Sequence, residues 1–270
     1  EILQIDSQKR KIEAEKREVI READLVILCL PDEISKKVIQ ANADMPAKFI
    51  DASTAFRTDL SWTYGLPELS RLQADAIKDA KYVSNPGCYA TAAQLALLPL
   101  RDRIQGIPVV FGISGFSGAG RTPNEKNDPK RLENNILPYS LTGHTHEKEI
   151  SRHLGYAVQF APHVSSFFRG ISVTVKASLR DAETCEGLLQ LYQNYFGDFP
   201  LVTATAEIPE IQQVVESNQA IVGGFAVDDR DARQVTVVCV IDNLRKGAAS
   251  QVIQNLNLMC GYPSDQGLLS

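Results

Sequence analysis

The turn Asn85-Pro86-Gly87 followed by Cys88 is the stretch of these 270 residues best suited to chemistry. Gly87 lets the backbone turn tightly, and Pro86 fixes the approach to that turn. Tyr89 to Leu98 is rich in alanine and leucine and predicts a helix. Cys88 is therefore expected at or beside a helix N-terminus, where unpaired N–H groups and the helix dipole stabilise a thiolate. The same N–H groups could hold an oxyanion formed when the sulfur adds to a carbonyl. The plainer reading is a small residue at a crowded corner, but turn, helix start and strand end together favour a nucleophile. The other cysteines are read as structural. Cys29 and Cys239 are expected inside apolar strands, Cys185 and Cys260 within or at the ends of helices.

A sulfur nucleophile needs a proton partner, and the chain has four histidines. His144 and His146 lie in Gly143-His-Thr-His-Glu-Lys-Glu149, which reads as a helix start. His146 and Glu149 are three apart and share a helical face, so the carboxylate could orient the imidazole as an acid or base. His-x-His with a nearby Glu also invites a metal reading, the poorer one because no third ligand cluster is evident. His163 is read as a packing or turn residue and His153 as solvated surface. Arg57 and Arg169 suit an anionic substrate, because a guanidinium fork grips carboxylate and phosphate oxygens in pairs. Each could equally be an ordinary surface arginine. Ser114 to Gly120 is a small-residue loop shaped for close backbone approach to a flat ring or a phosphate, a weak signal alone.

These residues need a frame. Short apolar strands end near Asp6 and cover Asp24–Leu30, Lys48–Ala52 and Lys81–Ser84; they alternate with helices at Ser7–Glu22 and Glu33–Gln40. That alternation predicts a Rossmann-like, doubly wound parallel sheet. Such sheets bind ligands at the strand carboxyl ends, which here carry Asp6-Ser7, Pro31-Asp32, Asp51–Ser53 and Ser84–Cys88. Beyond Leu100, strands at Val109–Ile113, Ile171–Ser178 and Val235–Ile241 with a helix at Glu183–Tyr195 suggest an α+β domain on a mixed or antiparallel sheet. A last helix, Lys246–Leu258, should return to the first domain through a stripe of Ala248, Ala249, Val252, Ile253 and Leu256. The expected division is 1–100 with 242–270 for one domain and 101–241 for the other.

A net charge of −5 with scattered Lys and Arg argues against a nucleic-acid groove or a membrane-surface helix. No apolar run approaches the roughly 18 to 20 residues of a spanning helix. Five widely spaced cysteines without a C-x-x-C pair fit a reducing cytoplasm and neither a disulfide scaffold nor zinc. The chain opens at Glu1 on what reads as a strand already under way, so a leading segment is expected before it.

Together the stretches SNPGCYAT (84–91), DASTAFR (51–57), YGLPEL (64–69), SGFSGAGR (114–121), HTHEKEI (144–150), APHVSSFFRGI (161–171) and DNLRKGAASQ (242–251) resemble the N-acetyl-gamma-glutamyl-phosphate reductases, shorter type, within the aspartate-semialdehyde dehydrogenase superfamily. The resemblance spans almost the whole chain. It implies a cysteine thioester formed from an acyl phosphate, then NADPH-dependent reduction to a semialdehyde in arginine biosynthesis. It implies acid/base chemistry at His146 with His144 and Glu149 beside it, phosphate at Arg57 and substrate at Arg169. It also implies cofactor contacts at Ser117, Gly118 and Asn243 on the nicotinamide end and at Pro31, and a homodimer or homotetramer. Ser7, Lys9 and Arg10 after the second strand suit the extra phosphate of NADP, whereas Asp6 would suit NAD. The family's glycine-rich pyrophosphate loop is not in this sequence. The competing readings are an aspartate-semialdehyde dehydrogenase-like enzyme on another acyl phosphate, a cysteine acyl hydrolase, and a non-catalytic protein on the same fold.

Overall fold

A computed structural model describes residues 2–6 and 8–269. Two sheets organise them. Strands β1 (Leu25–Leu28), β2 (Lys48–Asp51), β3 (Thr63–Tyr64) and β4 (Tyr82–Ser84) form an all-parallel sheet in the order β1-β2-β4-β3. Helices α1 (Glu13–Glu22), α2 (Asp32–Ala41), α3 (Gln73–Asp79) and α4 (Cys88–Leu97) are interleaved with them. Because βα crossovers leave every strand pointing the same way, all the strand carboxyl ends open on one edge.

The second sheet has seven strands in the order β6-β7-β5-β8-β11-β10-β9. They are β5 (Ile104–Gly115), β6 (Ile136–Pro138), β7 (Gln159–Ser165), β8 (Ile171–Leu179), β9 (Val202–Ala204), β10 (Ala220–Asp228) and β11 (Asp231–Ile241). Pairing is antiparallel except for β5 with β7 and β9 with β10, so the sheet is mixed, as the sequence suggested. Inward side chains of β8 alternate with half-buried ones in a two-residue period, the mark of a sheet covered on one face. Helices α5 (Pro129–Leu132), α6 (Thr145–Leu154) and α7 (Cys185–Phe196) follow in the connections.

Helix α4 joins the two layers. Every residue from Tyr89 to Leu97 is buried, which is what a helix apolar on all sides requires. The main core gathers α4 residues with Val173, Val175, Tyr192 and Val237. The last helix, α8 (Ser250–Met259), follows a π-helical turn at Arg245–Ala249 and packs Val252 and Met259 on Ile50, Ile77 and Val83 of the parallel layer. Among the described residues no helix is long and apolar enough to cross a membrane.

Some expectations are corrected. Residues 3–6 form no strand, and Leu3 is exposed. The first helix starts at Glu13, because the Asp6 side chain accepts from Gln8 N–H at 2.7 Å and its carbonyl takes Lys9 and Arg10 N–H, closing a local turn. Cys29 lies past the end of β1 and is exposed. Ile253 is exposed, while Gln251, Gln254 and Asn255 are buried. The π turn carries an extra residue in its hydrogen-bonded ring, so helical spacing counted from Ala248 is out of phase by α8.

Candidate active site

Cys88 is the first residue of α4, and Gly87 is its N-cap in extended conformation (φ −74°, ψ 149°). Gly87 is needed for space and not for its backbone angles. A Cβ there would overlap His146 Nε2 and stand 2.6 Å from Arg57 Nη1. The imidazole and guanidinium thus press directly on the residue before the cysteine. On the other side, the Tyr89 ring lies 6.1 Å from that of His146.

Arg57 is fixed by main-chain acceptors: Nε donates to Asn85 O at 2.9 Å and Nη2 to Ala52 O at 2.9 Å. Its Nη1 is left facing His146 Nε2 at 3.4 Å and Glu149 Oε2 at 3.6 Å. A guanidinium has only protons to offer, so Nε2 is the acceptor in this contact and the ring proton sits on Nδ1. That Nδ1 is buried without a partner among the described residues.

Glu149 does not orient the imidazole as the helical spacing had suggested. Its Oε1 accepts from Gly87 N–H at 2.8 Å and from Tyr64 Oη at 2.7 Å, and Gln94 Nε2 donates to the same phenol at 2.7 Å. The carboxylate therefore pins the cysteine turn to α6. The Tyr64 proton is held firmly, since burial, then the Glu149 charge, pushes its pKa well up. His144 caps α6, its Nδ1 accepting from His146 N–H at 3.1 Å.

Burial dominates the titration of these groups. It pushes the His146 pKa well below the usual value, helped by the Arg57 and His144 charges, so the ring is neutral at physiological pH. The Cys88 thiol is pushed up by burial; Arg57 and the N–H of Tyr89 oppose that and Glu149 adds to it. The helix start acts in the expected direction, yet desolvation outweighs it. A neutral imidazole packed on the cysteine turn can accept a proton, so the geometry offers a base in place of a standing thiolate.

His153 is not solvated surface. Its ring stacks on Tyr64 at 3.5 Å between centroids, and Nε2 meets Arg57 O at 2.6 Å. Burial lowers its pKa to about 4. An unfolded histidine takes its proton near pH 6.5, so between those values the unfolded chain binds more protons than the folded one. Stability is complete above about pH 6.5 and falls as pH drops toward 4, by on the order of 2 kcal/mol after allowing for partial exposure. His153→Gln should flatten the fall of the melting temperature between pH 6.5 and 4.5; an unchanged slope would contradict this origin.

A second group of predicted residues meets at the ends of β5 and β11. Asn243 Nδ2 donates to Ser117 Oγ at 2.9 Å, and its Oδ1 accepts from Gly170 N–H at 2.6 Å. A Cβ on Gly118 would sit 3.1 Å from Ser114 Oγ and 3.7 Å from Asn243 Nδ2. The result is a backbone cradle at Gly118, closed by the buried Asn243 amide. Arg169 belongs to this edge, with Nη1 bonded to Glu216 at 3.0 Å and Nε 2.9 Å from buried Asp242 without pointing at it. The chain then runs Asp242-Asn243 into the π turn, where a Cβ on Gly247 would lie 2.8 Å from that of Cys88. Both groups are thus parts of one edge.

Pro31 N-caps α2 at the end of β1, and Arg10 lies exposed in the turn before α1. Ser7 lies outside the described residues. His163 packs in β7 against Phe111, and its carbonyl accepts from Tyr89 Oη at 2.5 Å. Tyr64, Gln94 and His153 were missed as neighbours of the site. Tyr64 opens the YGLPEL stretch, which was a signal without an assigned role.

A parallel α/β layer, a mixed-sheet layer and a cysteine on the helix start between them define a dehydrogenase-like fold. Residues 3–80 match the family described as semialdehyde dehydrogenase, NAD binding domain, and residues 88–243 match semialdehyde dehydrogenase, dimerisation domain. The chain belongs to the semialdehyde dehydrogenase family. It is 44% identical over 242 residues to the N-acetyl-gamma-glutamyl-phosphate reductase of Xanthomonas euvesicatoria, covering 89% of this chain and 75% of that protein. It is 43% identical over 253 residues to the mitochondrial protein arg-6 of Neurospora crassa, of which the chain spans 29% of the length. Aspartate semialdehyde dehydrogenase II from Vibrio cholerae shares the fold, with a TM-score of 0.72 at 18% identity over 88% of this chain and 79% of that one.

Proposed function

We propose that the chain reduces N-acetyl-L-glutamyl 5-phosphate to the 5-semialdehyde with release of phosphate, the reaction named by its bacterial relative, in arginine biosynthesis. The observation that carries this reading is Cys88 at a helix start, with a neutral His146 and the Arg57–Glu149 pair packed on Gly87. His146 Nε2 takes the thiol proton, and the sulfur attacks the acyl carbon. The N–H groups at the start of α4 hold the oxyanion, and Arg57 Nη1 draws the phosphate away. A thioester on Cys88 remains.

Ser117, Gly118 and Asn243 would hold a reduced nicotinamide, whose hydride would take the thioester to the thiohemiacetal oxyanion, held by the same N–H groups at the start of α4. His146, carrying the proton taken earlier, returns it to the sulfur as the aldehyde leaves. Residues 1–100 with 242–270 are assigned to the cofactor and 101–241 to substrate and dimerisation. Arg10, in the turn before α1, would face the extra phosphate of NADP, which is the preferred cofactor in this reading. Lys9, the other cation there, is paired with Glu15 at 3.1 Å. A reducing cytoplasm is the compartment in this reading.

The test is phosphate-dependent reduction of NADP with N-acetylglutamate semialdehyde by the complete protein. Turnover of aspartate semialdehyde in its place would move the assignment to the sister reaction, and cofactor-independent ester cleavage would make it a hydrolase.

The outward face of the seven-stranded sheet presents Ile107, Val109 and Phe111, 55%, 42% and 40% exposed. A second copy covers this face in our reading, since an apolar strip on a sheet in a dimerisation domain asks for a self-complementary partner. Phe111→Lys should halve the mass seen in sedimentation; an unchanged species would place the interface elsewhere.

A further inference from the structure

Behind the cysteine turn lies a buried charge that the reaction above does not use. Lys246, in the π turn, is fully buried. Its Nζ donates to Glu68 Oε1 at 2.8 Å, Gln251 Oε1 at 2.9 Å and Gln254 Oε1 at 2.7 Å, so all three ammonium protons are committed. Glu68 is also fully buried and lies 178 residues away along the chain. Its Oε2 has no partner among the described residues.

The cluster reaches the cysteine from two sides. Gly247, next to Lys246, donates its N–H to Asp242 O at 3.0 Å and leaves room for Cys88 and nothing more. Asn255 Nδ2 donates to Asn85 Oδ1 at 3.1 Å and to Gly65 O at 3.0 Å, which ties the turn before Cys88 to α8. Moving the Lys246 ammonium would shift the π turn, and with it both Gly247 and the α8 amides. A buried ion pair with a spare acceptor is poor value as a stabiliser, because well-packed apolar side chains generally do as well or better. Fixing geometry is the better account, and π turns are frequent where geometry matters.

We propose that Lys246 is a positioning residue for Cys88, holding the π turn against Glu68 so that Gly247 and Asn85 set the direction of the sulfur. The proposal rests on the covalent reading of Cys88, and its test separates the two. In the complete protein, Lys246→Met is compared with the double variant Lys246→Met/Glu68→Leu, which replaces the ion pair by an apolar one. Turnover is measured beside the rate at which iodoacetamide labels Cys88, followed by peptide mass because other thiols are exposed.

A misplacement near 1 Å costs on the order of a hundredfold in rate, so kcat should fall by about that factor with KM changed by less than about threefold. Labelling of Cys88 at pH 8 should slow about tenfold, as the sulfur loses its alignment with the Tyr89 N–H and Arg57. The double variant should regain the wild-type melting temperature but neither rate, and it decides the matter if the single variant does not fold. Wild-type kcat and labelling in the double variant would reduce Lys246 to a fold-stabilising residue and overturn the proposal. If the wild type fails to reduce the acyl phosphate, the reaction assignment falls, and the labelling rates still decide the positioning.

Discussion

Cys88→Ser is expected to lower the reductase rate by at least about a thousandfold while leaving the melting temperature within a few degrees. A hydroxyl fits the space of the thiol at the start of α4, so packing around Gly87 and Tyr89 is preserved. The loss is chemical: serine is a far weaker nucleophile unless strongly activated, and it leaves a carbonyl adduct less readily than a thiol. Fluorescence titration of NADPH should be unaffected, because the Ser117–Asn243 cradle is built by other strands. Retention of more than a tenth of the wild-type rate would remove the covalent route.

Gly87→Ala should cost nearly as much, for a different reason. The backbone at Gly87 suits any residue, so no conformational strain is introduced. The methyl group instead enters the space of His146 Nε2 and lies 2.6 Å from Arg57 Nη1. Arg57 cannot yield easily, being anchored to Asn85 O and Ala52 O, so the imidazole must swing away from the cysteine turn. A loss of about a hundredfold in kcat follows from displacing the base by roughly an ångström. The pH profile should change with it: base catalysis by a buried neutral imidazole keeps its acid limb well below the ordinary histidine value, and the variant should lose that limb. An alanine enzyme with wild-type kcat would show that His146 is not the base.

The corner itself was legible because its parts are local: a turn of Asn-Pro-Gly, an alanine-rich run, and a strand before it. His146 and Glu149 were also legible as neighbours on one helical face, although the carboxylate serves Gly87 and not the imidazole. What that carboxylate bonds depends on Tyr64 and Gly87, 85 and 62 residues distant. No spacing rule reaches across such intervals. The weak strands β3, β6 and β9 have two or three residues each and exist only through their neighbours. Edge strands of that length carry almost no periodicity. His153 was read as surface from its polar neighbours in sequence, whereas Tyr64 covers it in space. The amide-lined face of α8 was missed because a π turn resets the helical phase, and nothing in Lys246-Gly-Ala-Ala249 announces one.

The acyl-enzyme can be observed before any reduction takes place. Complete protein mixed with N-acetylglutamyl phosphate, no nicotinamide being added, should release one equivalent of phosphate per chain in a rapid burst, with the acyl group recovered on the Cys88 peptide. Phosphate release that waits for the nicotinamide, or acyl label on any other residue, would contradict the mechanism.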